Sequence, residues 1–514
     1  MLKQADKKLE LIEENLSPDR PNRLCVSLSD LHLTDGSVGF QNLGIHTWRA
    51  FYDGIVARCE RYNIEEFTFV LDGDVVDMIR TDKWARSGVY PWQRDKKEFH
   101  QIVNKLIREI VDIQHKDFFD WLKALSANLE KAANVKTKII VLLGNHDKEL
   151  LCVQDALAYF YEYGLGRPLS SIDENERREI GRMYGDEEKF VDKTTAPYLP
   201  FYYGDTGFRF FTTHGHWRDK ENSRKVKAEN GFPSWSAKDG WAIEIWKKLK
   251  FSPFLLPCFG DSIAAGVLST FIYKTKKQLK ERGHDDDRLN SIFDELDLYR
   301  PTYKAVTRIL KEARSMRKDN CGHDVIKIIE STLYNCIIDW LSWDFTYETS
   351  PFLRRVLLTV VKFILKIMKF LNVGLEIKTI AVLVKYLMPS HGENLTLKEM
   401  NGFPAFLPEY EHYGFQIHGE GHTHVPLEED PNFNRKKPST YINFGTWRDQ
   451  IVGRKNVGYR RRSILRAFFI LDLKDKTKGA EEGARSFNYY TDDIISWSDK
   501  SDGFSRKGPH QPHL

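Results

Sequence analysis

The sequence predicts an α/β fold, and three observations carry that reading. Short apolar runs of strand type, "RLCVSLSD", "EFTFVLDGD" and "TKIIVLLGNHD", recur through the first part of the chain. Helix-patterned segments separate them, from about His46 to Tyr62 and from about Lys96 to Lys131. Each run closes on acidic, amide or imidazole side chains, which sets the chemistry at strand carboxyl ends, where α/β sheets gather their ligands.

Taken in order, residues 1–21 form a charged N-terminal extension without the apolar segment of a secretory signal. The core begins at residue 22. "FYYG" and "GFRFFTTHGH" predict a hairpin with Gly204-Asp205 as its turn. After Trp217 the pattern changes, and residues 218–400 read as a mostly helical insertion rich in aromatics and lysine. Strands resume at "FQIHGEGHTH", "TYINFG" and "RAFFILDL", so residues 22–217 and 401–475 make one α/β core in two parts. Residues 476–514 read as a polar tail.

With 514 residues the chain can bury more than one core, and 41% hydrophobic with 29% charged residues excludes a disordered protein. A net charge of +4 gives no general attraction for nucleic acid. Six scattered cysteines with no C-x-x-C pair fit reduced thiols and a cytoplasmic setting. Phe251 to Tyr273 is apolar, but Pro253, Pro257, Gly260 and Asp261 interrupt it. Arg354 to Met388 is apolar too, with a lysine or arginine every few residues. Neither reads as a membrane span.

Five motifs stand at strand ends: "SDLH" (Asp30, His32), "GDVVD" (Asp74, Asp77), "GNHD" (Asn145, His146, Asp147), "THGH" (His214, His216) and "GHTH" (His422, His424). A lone Asp-x-His is weak, but all five in order, each after an apolar run, form a strong signal. Without a cation, so many buried ionisable groups would be costly. Carboxylates with imidazoles suit zinc, manganese or iron rather than calcium or magnesium. Two cations about 3.5–4 Å apart need an anionic bridge, which one carboxylate supplies. A hydroxide held between them would attack phosphorus in line.

The pattern resembles the calcineurin-like metallophosphoesterases over residues 22–217 and 410–475. That resemblance implies a four-layer double-sheet sandwich, a large α-helical insertion lying outside it, and two divalent metal ions, Mn2+ foremost with Fe or Zn as alternatives. It further implies that Asp30, His32 and His424 hold the first metal and Asn145, His214 and His422 the second, with Asp74 bridging both. His146 resembles the family's non-ligand histidine, which protonates the leaving oxygen, and Asp77 its carboxylate partner. Asp147 reads as holding the turn. His216 is left as a neighbour of the ligands or a substrate contact, so the two His-x-His pairs are not equivalent.

The expected activity is therefore hydrolysis of a phosphomonoester, phosphodiester or pyrophosphate bond. "SLSDLHL" and the apolar insertion are distantly similar to hydrolases of UDP-2,3-diacylglucosamine, although those carry arginine where this chain has His146. A phosphorylated substrate, lipid-linked ones included, is the expected partner. Arg355, Lys362, Lys366 and Lys369 make a basic stripe in an otherwise apolar helix, which reads either as a peripheral membrane contact or as a core helix with snorkelling lysines. The alternatives are a nuclease of the same family and a membrane-docked, non-catalytic binding protein. "RKNVGYRRR" is the one dense basic run, and it reads as a solvated loop, so nucleic acid is not the expected partner.

Overall fold

The computed structural model describes residues 12–13, 15–39, 43–190, 192–219, 221–223, 250–284, 286–300, 308–309, 322–370, 414–430, 439–454, 458–475 and 483–498. Its strands are β1 (Ile12–Glu13), β2 (Arg23–Leu28), β3 (Glu66–Leu71), β4 (Lys136–Val141), β5 (Tyr202–Asp205), β6 (Phe210–Thr213), β7 (Tyr299–Arg300), β8 (Ile417–Glu420), β9 (Leu427–Glu429), β10 (Thr440–Asn443), β11 (Gln450–Arg454), β12 (Gly458–Lys474) and β13 (Arg485–Ser498). They form two mixed sheets. One runs β4-β3-β2-β12-β11-β7 with β13 also on β12, and the other runs β1-β5-β6-β8-β10-β9. The protein is thus a mixed α/β fold.

Side-chain alternation explains how the layers stack. Leu24, Val26 and Leu28 of β2 pack with Trp48, Phe51 and Ile55 of the helix Ile45–Tyr62 and with Leu122 and Leu125 of the helix Lys116–Ala133. The alternate positions Cys25, Val70 and Ile140 pack instead with Phe210, Ile417 and Ile442 of the other sheet. Helices thus cover one face of the first sheet, and the second sheet covers the other. Strands β2, β3 and β4 are mutually parallel, as are β6, β8 and β10, so their carboxyl ends gather in two rows.

The described part of the insertion is mostly helical, with the short strand β7, and has its own core, including Phe271, Leu279, Phe293, Ile329, Trp340 and Leu358. The run Ser252–Glu281 is long and apolar enough to cross a membrane by length and composition, but 67% of its most apolar window is buried in the fold. The insertion is joined to the core through β7, which pairs in parallel with β11. Residues 371–388 of the second apolar stretch lie outside the described residues.

Two expectations are corrected, the position of the hairpin turn and the basic loop, and the two terminal segments each add a strand. Gly204 and Asp205 lie within β5, opposite Phe211 and Phe210, and the turn falls on residues 206–209. Asp205 stays in the strand because Arg23 binds it at 2.6 Å and Asn15 at 2.8 Å in a buried setting, while its Oδ1 accepts from Phe208 N at 2.9 Å. The N-terminal extension contributes β1, paired with β5. The polar tail contributes β13, paired with β12 along its whole length. The basic run reads as two paired strands, β11 and β12, with residues 455–457 outside the described set.

Candidate metal centre

The five motifs meet where the two rows of strand ends face each other. Backbone hydrogen bonds join the loops after β2 and β3: Asp30 N donates to Gly73 O at 3.2 Å and His32 N to Asp74 O at 2.8 Å. Asp147 ties in the loop after β4, accepting from Asp74 N at 2.7 Å, Gly144 N at 2.9 Å and Val76 N at 3.0 Å. The bonds from Asp74 N and Val76 N tie the loop after β4 to the loop after β3. The loop after β8 joins through His422 N, which donates to Asp30 Oδ2 at 2.8 Å.

These loops are conformationally costly. Asp30, His32, Asp74, His422 and His424 all have positive φ, between 48° and 67°. Non-glycine residues rarely adopt that region, and such strain persists only where surrounding structure enforces it. Two glycines permit the close approach. A Cβ on Gly144 would lie 2.1 Å from Asp74 Oδ1, and one on Gly421 would lie 1.9 Å from Ser29 Oγ.

Asp30, His32 and His424 form one group of donors. His424 Nε2 lies 3.1 Å from Asp30 Oδ1 and 2.9 Å from His32 Nε2, and His32 Nε2 lies 3.5 Å from Asp30 Oδ1. Ser29 Oγ at 2.6 Å and His422 N occupy Asp30 Oδ2, which leaves Oδ1 for the group. Asp74, His214 and His422 form a second group. His214 Nδ1 donates to Asp72 O at 2.7 Å, which fixes the tautomer and turns Nε2 towards Asp74 Oδ2 at 3.2 Å. His422 Nε2 meets Asp219 Oδ2 at 3.0 Å, leaving Nδ1 as the other donor position.

Asp74 Oδ2 also lies 3.5 Å from His32 Nε2, so it stands between the two groups. Asp30 Oδ1, Asn145 Oδ1 and His214 Nε2 are buried without a hydrogen bond. Buried polar atoms are ordinarily satisfied, and these three are the atoms a cation would take. The residues present therefore fit a metal centre.

The electrostatics agree. Burial pushes Asp30 and Asp74 up, yet the facing histidines, His214 foremost, hold both below the usual carboxylate range. Burial and the Arg80 charge hold His32 below its ordinary value, which favours the neutral ring that ligation requires. Burial opposes charging His214, but Asp74 and Asp30 hold its pKa well above normal. Paired buried carboxylates thus draw positive charge to this point.

His146 sits at the rim with its Nδ1 2.9 Å from Asp77 Oδ1. Its ring lies edge-on to His32 at 4.7 Å, and it also falls within reach of His32 and Asp74 as a third potential donor group. Burial lowers its pKa, but Asp77 and Asp74 more than offset that and raise it. Asp77 is buried and also accepts from Arg80 Nε at 2.5 Å. His216 is buried between Phe201 and Phe254, with ring centroids at 5.6 Å and 5.9 Å, and neither ring nitrogen has a hydrogen-bond partner. It lies 5.4 Å from the His214 ring but outside the donor groups.

Three contributors went unread in the sequence: Ser29 beside Asp30, Arg80 behind Asp77, and Asp219 behind His422. No family model, no curated protein and no solved structure matches the chain at a significant level.

Proposed function

We propose that the chain is a di-metal phosphoesterase of the calcineurin-like metallophosphoesterase type, hydrolysing a phosphomonoester, phosphodiester or pyrophosphate bond. The observation that carries this reading is Asp74 Oδ2 standing 3.5 Å from His32 Nε2 and 3.2 Å from His214 Nε2, common to both donor groups. Asp30, His32 and His424 would hold one cation and Asn145, His214 and His422 the other, with Asp74 shared. The mixed imidazole and carboxylate set suits manganese first, with iron or zinc as alternatives. Divalent cations in such a site supply Lewis-acid activation of water and neutralise charge at phosphorus.

The chain's own residues complete the reaction. Asp77 holds His146 Nδ1 at 2.9 Å and favours its protonated ring, so Nε2 is the proton donor to the leaving oxygen. Asn145 keeps an amide NH2 that can donate to a phosphate oxygen. Two sheets packed face to face, with helices on the outer face of one, support the family's four-layer sandwich with residues 22–217 and 401–475 as its core. The nuclease reading has less behind it, because Arg461 of the basic run is engaged by Asp449 at 2.9 Å and by Glu295. The intact His146–Asp77 pair argues against a non-catalytic protein.

The test is a metal assay of the purified chain with a hydrolysis screen in Mn2+ against monoester, diester, lipid-diphosphate and DNA substrates. The expected result is metal-dependent turnover of at least one phosphoester. Bound metal without turnover of any class would reject the proposal.

A further inference from the structure

The helix Phe352–Phe370 presents two apolar faces. Leu358, Val361 and Leu365 are buried in the insertion's core, as an amphipathic helix on a soluble protein requires. On the other side Leu353, Val356, Leu357, Val360, Phe363 and Ile364 are each between 47% and 82% exposed. They recur at three- and four-residue spacing, so they form one continuous stripe and not scattered surface residues. The same helix carries Arg354, Arg355, Lys362, Lys366 and Lys369 and no acidic residue.

The helix is held firmly at its amino end. Arg354 binds Glu221 through both terminal nitrogens at 2.5 Å and 2.6 Å and lies over the Phe259 ring at 4.6 Å. Glu221 N in turn donates at 2.8 Å to Asp219 Oδ1, the carboxylate behind His422. Arg354 and Glu221 thus link this helix to the carboxylate behind His422.

We propose that this stripe is a docking surface for an anionic lipid bilayer. The apolar side chains enter the acyl boundary, and the cations along the helix flank meet the head groups. Charge selects the occupant: with Arg354 neutralised by Glu221, the helix keeps four cations, Arg355, Lys362, Lys366 and Lys369, and no acid, so it repels a second copy of itself and attracts an anionic surface. Vesicle binding needs no turnover, so this inference stands or falls apart from the phosphoesterase reading.

The experiment is co-sedimentation of the full chain with vesicles of phosphatidylcholine alone and of phosphatidylcholine mixed equally with phosphatidylglycerol. The wild type is expected to pellet with the mixed vesicles, less with the neutral ones, and less as salt is raised. Val360→Glu combined with Phe363→Glu should cut the vesicle-bound fraction about tenfold or more by placing charge in the acyl region. Lys362→Glu combined with Lys366→Glu should abolish the preference for anionic vesicles. Circular dichroism checks that both variants remain folded, which substitutions at exposed positions allow. Three results would overturn the proposal: no sedimentation of the wild type, unchanged binding by the apolar-face variant, or a wild-type dimer that this variant dissolves.

Discussion

Asp77 Oδ1 and His146 Nδ1 lie 2.9 Å apart, with the carboxylate buried and the imidazole at the rim. The bond fixes the ring and leaves Nε2 directed away from Asp77, as the proposed role of His146 as an acid requires. His146→Ala is expected to cost about 10²–10⁴-fold in turnover, the range of a lost general acid, while bound metal stays unchanged. Because His146 also lies within reach of His32 and Asp74, metal analysis is the deciding measurement. A drop in bound metal would make it a ligand.

Asp219 stands behind His422 at 3.0 Å, on the ring nitrogen opposite the one available for a metal. Carboxylates in that position orient the ring, and their loss typically costs about 10–100-fold in metal affinity or activity. Asp219→Ala should therefore raise the metal concentration needed for half-maximal activity by about that factor. An unchanged metal titration would remove Asp219 from the site's support.

The donor residues were legible because the chemistry sits in a few residues immediately after strands whose apolar runs are themselves easy to read. Asp219 and Arg80 were not, since their roles arise only across the fold. His422 lies 203 positions from Asp219, and Asp297, which Arg80 binds at 2.6 Å, lies 217 positions away. Strand β13 was hidden for another reason. Asp492 and Asp493 sit in its middle, and only the fold supplies their partners, Arg58 at 2.5 Å and Arg466 at 2.8 Å. The turn falls one step beyond its expected place because Asp205, a turn-forming residue, is held in strand geometry by the buried Arg23.

Lys148 follows the "GNHD" motif and is fully buried, where Asp261 of the insertion binds it at 2.7 Å and Cys258 Sγ lies at 3.2 Å. This pair joins the loop carrying Asn145 and His146 to the insertion. Asp261→Asn leaves a buried cation without its counter-charge, a change that typically costs about 3–5 kcal/mol. Denaturant unfolding should register that loss. Replacing both partners, Lys148→Met with Asp261→Leu, should recover part of it, the remainder being the bond that Asp261 Oδ2 accepts from Cys258 N at 2.7 Å. A single variant as stable as the wild type would mean that the pair contributes nothing.

Glu295 gives the fold a pH dependence of its own. Its Oε1 is bound by Arg461, while Oε2 is buried with no hydrogen-bond partner and is the place for a proton. Burial pushes the carboxyl up from 4.5 to about 7, against the pull of Arg461, and Asp294 and Asp449 push the same way. Between those values the folded chain keeps a proton that the unfolded chain has released. The stability this provides is full below about pH 4.5 and is lost as pH rises through about 7, a contribution on the order of 3 kcal/mol. Glutamine mimics the protonated acid at every pH. Glu295→Gln should therefore melt near the wild type at about pH 5 and above it at about pH 8. Parallel melting curves across that range would show that Glu295 is already ionised in the folded chain, with Arg461 outweighing burial.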